Sequence, residues 1–359
     1  MKKIWKIKAI NKVLSIHARL SQIDKDKTPL NSNQEFSRIV IFSTTALGDL
    51  LFNTPAINSI KRRFPNAKIM LVSSDKNRDL VQKSEWFDEI VIWDNKIVHS
   101  HRVIRRMRKF KPDMTVLLHS TLGYDILCAR LSGSKYIIRD NFRSDKTVFN
   151  HWLDHHSSAT DVHIIQRKLD LISIMGCDAT DIRMQFPIPV NSIARENYRP
   201  VIGFQMGASG KNRCWPVEHF TQLAERILEN HKDAKIILTG APQDGIIEKP
   251  FFELLKKEYH SRVESHIGKT RLPELLQIIK NLDVLITGDT GPLHIAITAE
   301  TPTVSLYVSA NPRHTGPYQD LHIHQTIRIE PEPNDDPQYP LRKISVEQVY
   351  DAMVKIIST

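Results

Sequence analysis

The chain has 359 residues, of which 41% are hydrophobic and 25% charged, the composition of an ordinary globular protein with room for two domains. No apolar run approaches the roughly 20 residues needed to span a bilayer, and the basic start Met1-Lys2-Lys3 lacks the apolar segment of a secretory signal. The formal charge is +10, and residues 1–35 hold eight Lys or Arg against three acids, so an anionic partner is expected.

Residues 1–22 place Ile4, Ile7, Ile10, Val13, Leu14 and Leu20 at helical spacing, with Lys between them and Trp5 beside the stripe. This predicts a basic amphipathic helix. It lies on an anionic membrane surface, docks on its own domain, or frays as a terminus. A polar linker follows, and the whole extension runs over 1–35. From Arg38, strands at 38–43, 68–73, 89–93, 114–118 and 135–139 alternate with helices near 48–64, 76–83, 98–110, 122–132 and 161–175. That makes a first domain of 36–186. Residues 187–200 are Pro-rich and read as a linker. The alternation restarts in a second domain, 201–342. Its strands lie at 201–205, 235–239, 262–266, 283–287 and 303–308, and its helices at 216–230, 246–258, 272–281 and 291–299. Residues 311–342 read as loop, and a helix at 345–357 closes the chain within 343–359. The pattern predicts an α/β protein built of two Rossmann-like, doubly wound parallel-sheet domains facing a central cleft.

In such sheets ligands bind at the carboxyl ends of strands. Ser43-Thr-Thr-Ala-Leu-Gly-Asp49 occupies that place in the first domain. Asp49 suits the start of a helix, where it caps, and equally suits a general base on an acceptor hydroxyl. Thr45 and Gly48 share its loop, and Gly48 permits close approach. Arg139, Arg143 and Lys146 follow a later strand in a loop fit for an anionic acceptor. In the second domain, Gly207-Ala-Ser-Gly-Lys211-Asn-Arg213-Cys-Trp-Pro216 has the composition of a phosphate loop without being a Walker sequence. Either Lys211 or Arg213 could neutralise a diphosphate. Asp289-Thr290-Gly291 opens a helix whose N–H groups could hold that diphosphate, with His294 one turn on. The bland readings are solvated loop cations, an N-cap and a core histidine.

Other chemistries find less support. No Gly-x-Gly-x-x-Gly follows a strand, and no Asp-x-Asp run suggests a metal-bound diphosphate. His151, His155 and His156 flank Asp154, but no second cluster has zinc spacing, so no metal is expected. Arg102, Arg105, Arg106 and Lys109 make one basic helical face. No nucleic-acid reader motif is present, and nucleic acid is not an expected partner. Three scattered cysteines (Cys128, Cys177, Cys214) fit a reduced, cytoplasmic setting, with the protein free or peripheral on the inner membrane.

Three segments in order, Leu47-Gly-Asp-Leu-Leu with Thr54-Pro-Ala-Ile, Arg213-Cys-Trp-Pro, and Gly288-Asp-Thr-Gly-Pro-Leu-His-Ile-Ala, resemble glycosyltransferase family 9, which contains the ADP-heptose:lipopolysaccharide heptosyltransferases. The resemblance runs from about Arg38 to the last helix. It implies a GT-B fold and inverting, metal-independent heptose transfer from ADP-heptose, as substrate rather than cofactor, to a lipopolysaccharide core. On that resemblance Asp49 is the base and Arg213 the cation at the donor phosphates. Asp289, Thr290, Gly291 and His294 match the family's donor-binding residues, and Gly240 to Asp244, with Gln243, the loop that approaches the nucleoside; Gly207 and Lys211 join the donor site on the composition of their own loop. The family commonly has Lys where Arg213 stands. The alternatives are a GT-B enzyme with another donor, a sugar-nucleotide epimerase, or a membrane-binding protein without catalysis.

Overall fold

The β-branched runs become strands buried on both faces, as a parallel sheet between helix layers requires. In strand β1 (Arg38–Ser43) only Arg38 faces solvent. The computed structural model describes residues 2–20, 27–119, 123–141, 144–158, 161–190, 199–308, 310–333 and 336–358. The chain forms two units, Met1–Ile188 and Pro189–Thr359.

Unit 1 holds β1, β2 (Lys68–Ser73), β3 (Glu89–Ile92), β4 (Met114–His119), β5 (Tyr136–Arg139) and β6 (His155–His156) in one parallel sheet, ordered β3-β2-β1-β4-β5-β6. Its helices are α1 (Lys2–Leu20), α2 (Leu47–Arg63), α3 (Arg78–Val81), α4 (Ser100–Phe110), α5 (Tyr124–Leu131) and α6 (Ile164–Ser173). Ile10 and Leu14 of α1, Val103 and Met107 of α4, and Leu127 and Cys128 of α5 share one core with Val40, Phe42 and Met70 of the sheet. The N-terminal helix thus docks on its own unit through part of its stripe. Helices α2 and α6 pack together.

Unit 2 holds β7 (Val201–Gln205), β8 (Lys235–Thr239), β9 (Val263–Ser265), β10 (Val284–Gly288), β11 (Thr303–Tyr307) and β12 (His324–Arg328). Their order is β12-β11-β10-β7-β8-β9, all parallel. Counted from β7, this is the same order as in unit 1. The helices are α7 (Val217–Asn230), α8 (Gly245–Leu254), α9 (Leu272–Lys280), α10 (Gly291–Thr298), α11 (Pro312–Thr315) and α12 (Val346–Ile357).

Strands β6 and β12 were not expected. β12 carries His-Gln-Thr-Ile-Arg on a sheet edge, where side chains are only half covered, so its polarity hides its pairing. The segment 311–342 is therefore not loop throughout.

Candidate active site

A doubly wound sheet opens a crevice where its strand order reverses. In unit 1 that point lies between β1 and β4, and the loop after β1 is held there by buried polar bonds. Thr44 N–H donates to the His119 carbonyl at 3.0 Å. The Thr44 carbonyl accepts from Asn95 Nδ2 at 2.6 Å, and the Thr45 carbonyl from Ser74 Oγ at 2.7 Å. Asn53 Nδ2 donates to Ser43 Oγ at 2.8 Å. The loop leads into α2, where Asp49 stands in the first turn and its Oδ2 accepts the Ala46 N–H at 3.1 Å. Asp49 therefore caps. Its other oxygen, Oδ1, lies 3.5 Å from Nδ1 of His119, the last residue of β4, and the carboxylate keeps partial access to solvent. Capping thus engages one oxygen of Asp49, and the other faces His119.

Behind Asp49 lies a buried ionic cluster. Lys168 Nζ of α6 donates to the Leu118 carbonyl and to Asp140 Oδ2, the latter at 2.8 Å. Arg167 Nε donates to Asp140 Oδ1 at 2.7 Å. Burial pushes the Asp140 carboxyl up, but the neighbouring Lys168 and Arg167 outweigh it and hold the group well below the usual carboxylate range. Burial lowers Lys168, opposed by Asp140 and by the charge of Asp49.

In unit 2 the order reverses between β7 and β10. Arg213 belongs to the loop after β7. Its Nη1 donates to the Asp289 carbonyl at 3.1 Å and its Nη2 to Ser209 Oγ. A Cβ on Gly288 would lie 2.4 Å from the Arg213 carbonyl oxygen, so glycine is what lets the two loops touch. The Asp289 carboxylate has Arg213 Nη1 at 3.9 Å on one side and His294 Nε2 at 3.9 Å on the other. Burial raises its pKa, countered by Arg213. Thr290 precedes α10 but turns its hydroxyl to Thr287 Oγ1 at 3.0 Å instead of capping. The first turn of α10 therefore lacks a side-chain cap, and its N–H dipoles are available to an anion.

Lys211 and Gln243 fall in a different place. With Trp215, Asp244, Tyr339 and Arg342 they line a cavity of about 390 Å³ that does not include Asp289 or His294. Asp244 Oδ2 accepts the Ala241 N–H at 2.8 Å, which folds the loop after Gly240. A Cβ on Gly207 would meet Asp244 Oδ2 at 1.9 Å, so this glycine is required for the packing of that loop. Among the described residues no three His, Cys, Asp or Glu side chains gather as metal ligands. Asp154, beside the paired His155 and His156, instead accepts the Ile137 N–H and pairs with Lys27.

A protein-family model described as Glycosyltransferase family 9 (heptosyltransferase) matches residues 101–344, more than half of the chain. The chain belongs to glycosyltransferase family 9. It is 23% identical over 286 residues to lipooligosaccharide heptosyltransferase 2 of Campylobacter jejuni, covering 79% of this chain and 84% of that one. A family 9 glycosyl transferase from Veillonella parvula superposes with a TM-score of 0.75 at 20% identity, covering 92% of this chain and 99% of that one. ADP-heptose lps heptosyltransferase II of Escherichia coli superposes at 0.71 with 18% identity, covering 89% and 98%. The two likenesses support the GT-B architecture expected from the sequence.

In this glycosyltransferase the structure brings Asp49 and Thr45 to one switch point, and Arg213, Asp289, Thr290, Gly291 and His294 to the other. Arg139 does not sit in the loop where it was expected. It ends β5 and is fully buried, with Nη2 3.6 Å from Asp125 Oδ2. The guanidinium is enclosed within the unit instead of standing on a loop surface. Arg143 lies outside the described residues, and Lys146 falls in a 3₁₀ stretch, Ser144–Trp152. His119 was missed by sequence reasoning. It ends a strand as a single histidine among 16, and only the pairing of β1 with β4 reveals that it meets Asp49.

Proposed function

We propose that this glycosyltransferase moves heptose from ADP-heptose to a lipopolysaccharide core hydroxyl, with inversion and without a metal ion. The observation that carries the reading is the division of chemistry between two equivalent switch points. Unit 1 offers a partly exposed carboxylate, Asp49. Unit 2 offers a cation, Arg213, beside the uncapped start of α10. A single displacement needs one of each. The acceptor oxygen bonds to the anomeric carbon while the bond from that carbon to the diphosphate oxygen breaks, and the electron pair leaves on ADP. The hydroxyl proton passes to Asp49, a step worth about 10²–10⁴-fold in rate. His119 orients the receiving carboxylate. Arg213 and the N–H groups of α10 stabilise charge building on the diphosphate and so stand in for a metal. The likeness to the heptosyltransferases above supports heptose as the sugar and a lipopolysaccharide core as the acceptor.

The test is transfer. Protein, ADP-heptose and a panel of deacylated cores are incubated, and products are weighed by mass spectrometry. One core should gain a single heptose of inverted anomeric configuration, and Asp49→Ala should abolish the gain while ADP binding persists. Transfer that requires an added divalent cation would refute the metal-free step. Release of a free isomerised sugar nucleotide without acceptor would replace transfer by epimerisation.

A further inference from the structure

Helix α1 has two apolar faces, and only one is used inside unit 1. Ile10 and Leu14 are buried in the core with Ile7 packed against it, and Trp152 Nε1 pins the helix by donating to Asn11 Oδ1 at 2.8 Å. The second face is made by Trp5, Ala9, Val13, Ile16 and Leu20. Their spacing of four, four, three and four residues, at about 100° per residue, stacks them in one narrow stripe. That stripe is in water: Trp5 is 60% exposed, Val13 45%, Ile16 50% and Leu20 81%. Lys8, Lys12 and Arg19 line one edge of it, Lys6 lies beyond the other, and all four are exposed. Neither α1 nor α4 contains an acid. The two helices belong to the same layer, sharing one core through Ile10, Leu14, Val103, Met107 and Phe110. The outer side of α4 shows Arg102, Arg105, Arg106, Arg108 and Lys109, of which Arg106 pairs with Glu89.

We propose that this layer seats unit 1 on an anionic phospholipid surface. The Trp5–Leu20 stripe enters the boundary between headgroups and acyl chains, and the cations of α1 and α4 meet the phosphates. No described helix is long and apolar enough to cross a membrane, so the helix lies in the plane of the surface. Charge decides the occupant. A second copy pressing the same face would bring two cationic rims together, whereas an anionic bilayer complements the rims and accepts the interfacial indole. The inference does not depend on which sugar is transferred.

The full chain is floated with vesicles of phosphatidylglycerol mixed with phosphatidylcholine, and with phosphatidylcholine alone. Binding should favour the anionic vesicles by at least about ten-fold and should fall as salt rises from about 50 to about 500 mM. The triple variant Trp5→Ser, Ile16→Ser, Leu20→Ser should lose about ten-fold or more of that binding with ADP affinity unchanged. Arg102→Gln with Arg105→Gln and Lys109→Gln, which leaves α1 intact, should weaken binding several-fold and flatten its salt dependence. Binding indifferent to both variants overturns the proposal. So does a wild-type chain that ignores vesicles but forms a dimer which the triple Ser variant disperses.

Discussion

The two units share a strand order but treat charge in opposite ways. Unit 1 buries ions in partnership: Asp140 with Arg167 and Lys168, and Arg139 near Asp125. Unit 2 holds two buried titratable groups that burial keeps neutral. His324 is pushed down to about 4 by burial, partly opposed by Asp320, and Tyr307 is pushed up by burial and by the charge of Asp289. Arg213, the cation proposed to meet the donor, stays about one-third exposed. A unit that pairs its buried Asp140 with two cations can present one carboxylate on a rigid mount. A unit that keeps its cation near the surface has it ready for an anionic ligand. On the proposed mechanism the buried Asp140 pairs serve the geometry of Asp49, and the open cation of unit 2 serves donor affinity.

The sharpest way to break this contrast is to swap the roles of the two carboxylates. Asp49→Asn keeps the shape and an oxygen for the Ala46 N–H but removes the proton acceptor. Its kcat should fall by about 10³, near 4 kcal/mol, with the ADP Kd within about two-fold of wild type. Asp289→Asn should do the reverse, altering donor affinity more than kcat. Steady-state kinetics beside calorimetric ADP titration reads both, and parallel losses in the two variants would dissolve the distinction.

Next in size is the ionic cluster. Asp140→Asn strands Lys168 and Arg167 in the core and should lower the stability of unit 1 by about 3–5 kcal/mol in urea unfolding. Arg167→Leu with Asp140→Leu and Lys168→Met, which removes every ion, should recover much of that stability but not the turnover, because the mount behind Asp49 is gone. Full recovery of turnover would show that the cluster contributes only stability. Smaller still is the effect on ligand affinity. Arg213→Ala should weaken ADP binding by about 10–100-fold, the cost of one charge-assisted contact. Gly288→Ala should reproduce part of that loss by pushing away the Arg213 backbone, without touching the guanidinium itself.

Much of this was legible in the chain. The parallel strands of both sheets except β6 and β12 follow from β-branched runs between helical patterns, and the loops carrying Asp49, Arg213 and Asp289 follow from their places after those strands. What escaped depends on pairing across the sheet. His119 becomes a neighbour of Asp49 only because β4 lies beside β1. Arg139 reads as a loop cation because a strand's last residue and a loop's first look alike in sequence, and burial alone tells them apart. The sequence stripe on α1 merged two faces, because Val13 and Leu14 are adjacent in the chain yet point to solvent and core.

The smallest effect separates the units by pH. His324 sits on the edge strand β12 with Nδ1 2.9 Å from Thr303 Oγ1. Its folded pKa of about 4 lies below the unfolded value of about 6.5. Between those values the unfolded chain binds more protons, so unit 2 should be fully stabilised above about pH 6.5 and lose stability as pH falls toward 4. From about pH 7.5 to pH 5 the loss should reach about 1–2 kcal/mol. Unit 1 should respond less over the same range: Asp140 is held below it and keeps its charge, and only the half-buried His155, lowered by burial and by His156, adds a response of the same sign. Hydrogen exchange followed separately in β11 and β5 measures each unit. His324→Gln should flatten the response in β11 while leaving β5 unchanged. An unaltered slope would mean that another histidine of unit 2 carries the titration, His219 first, which burial also lowers, and that the acid sensitivity does not belong to the sheet edge.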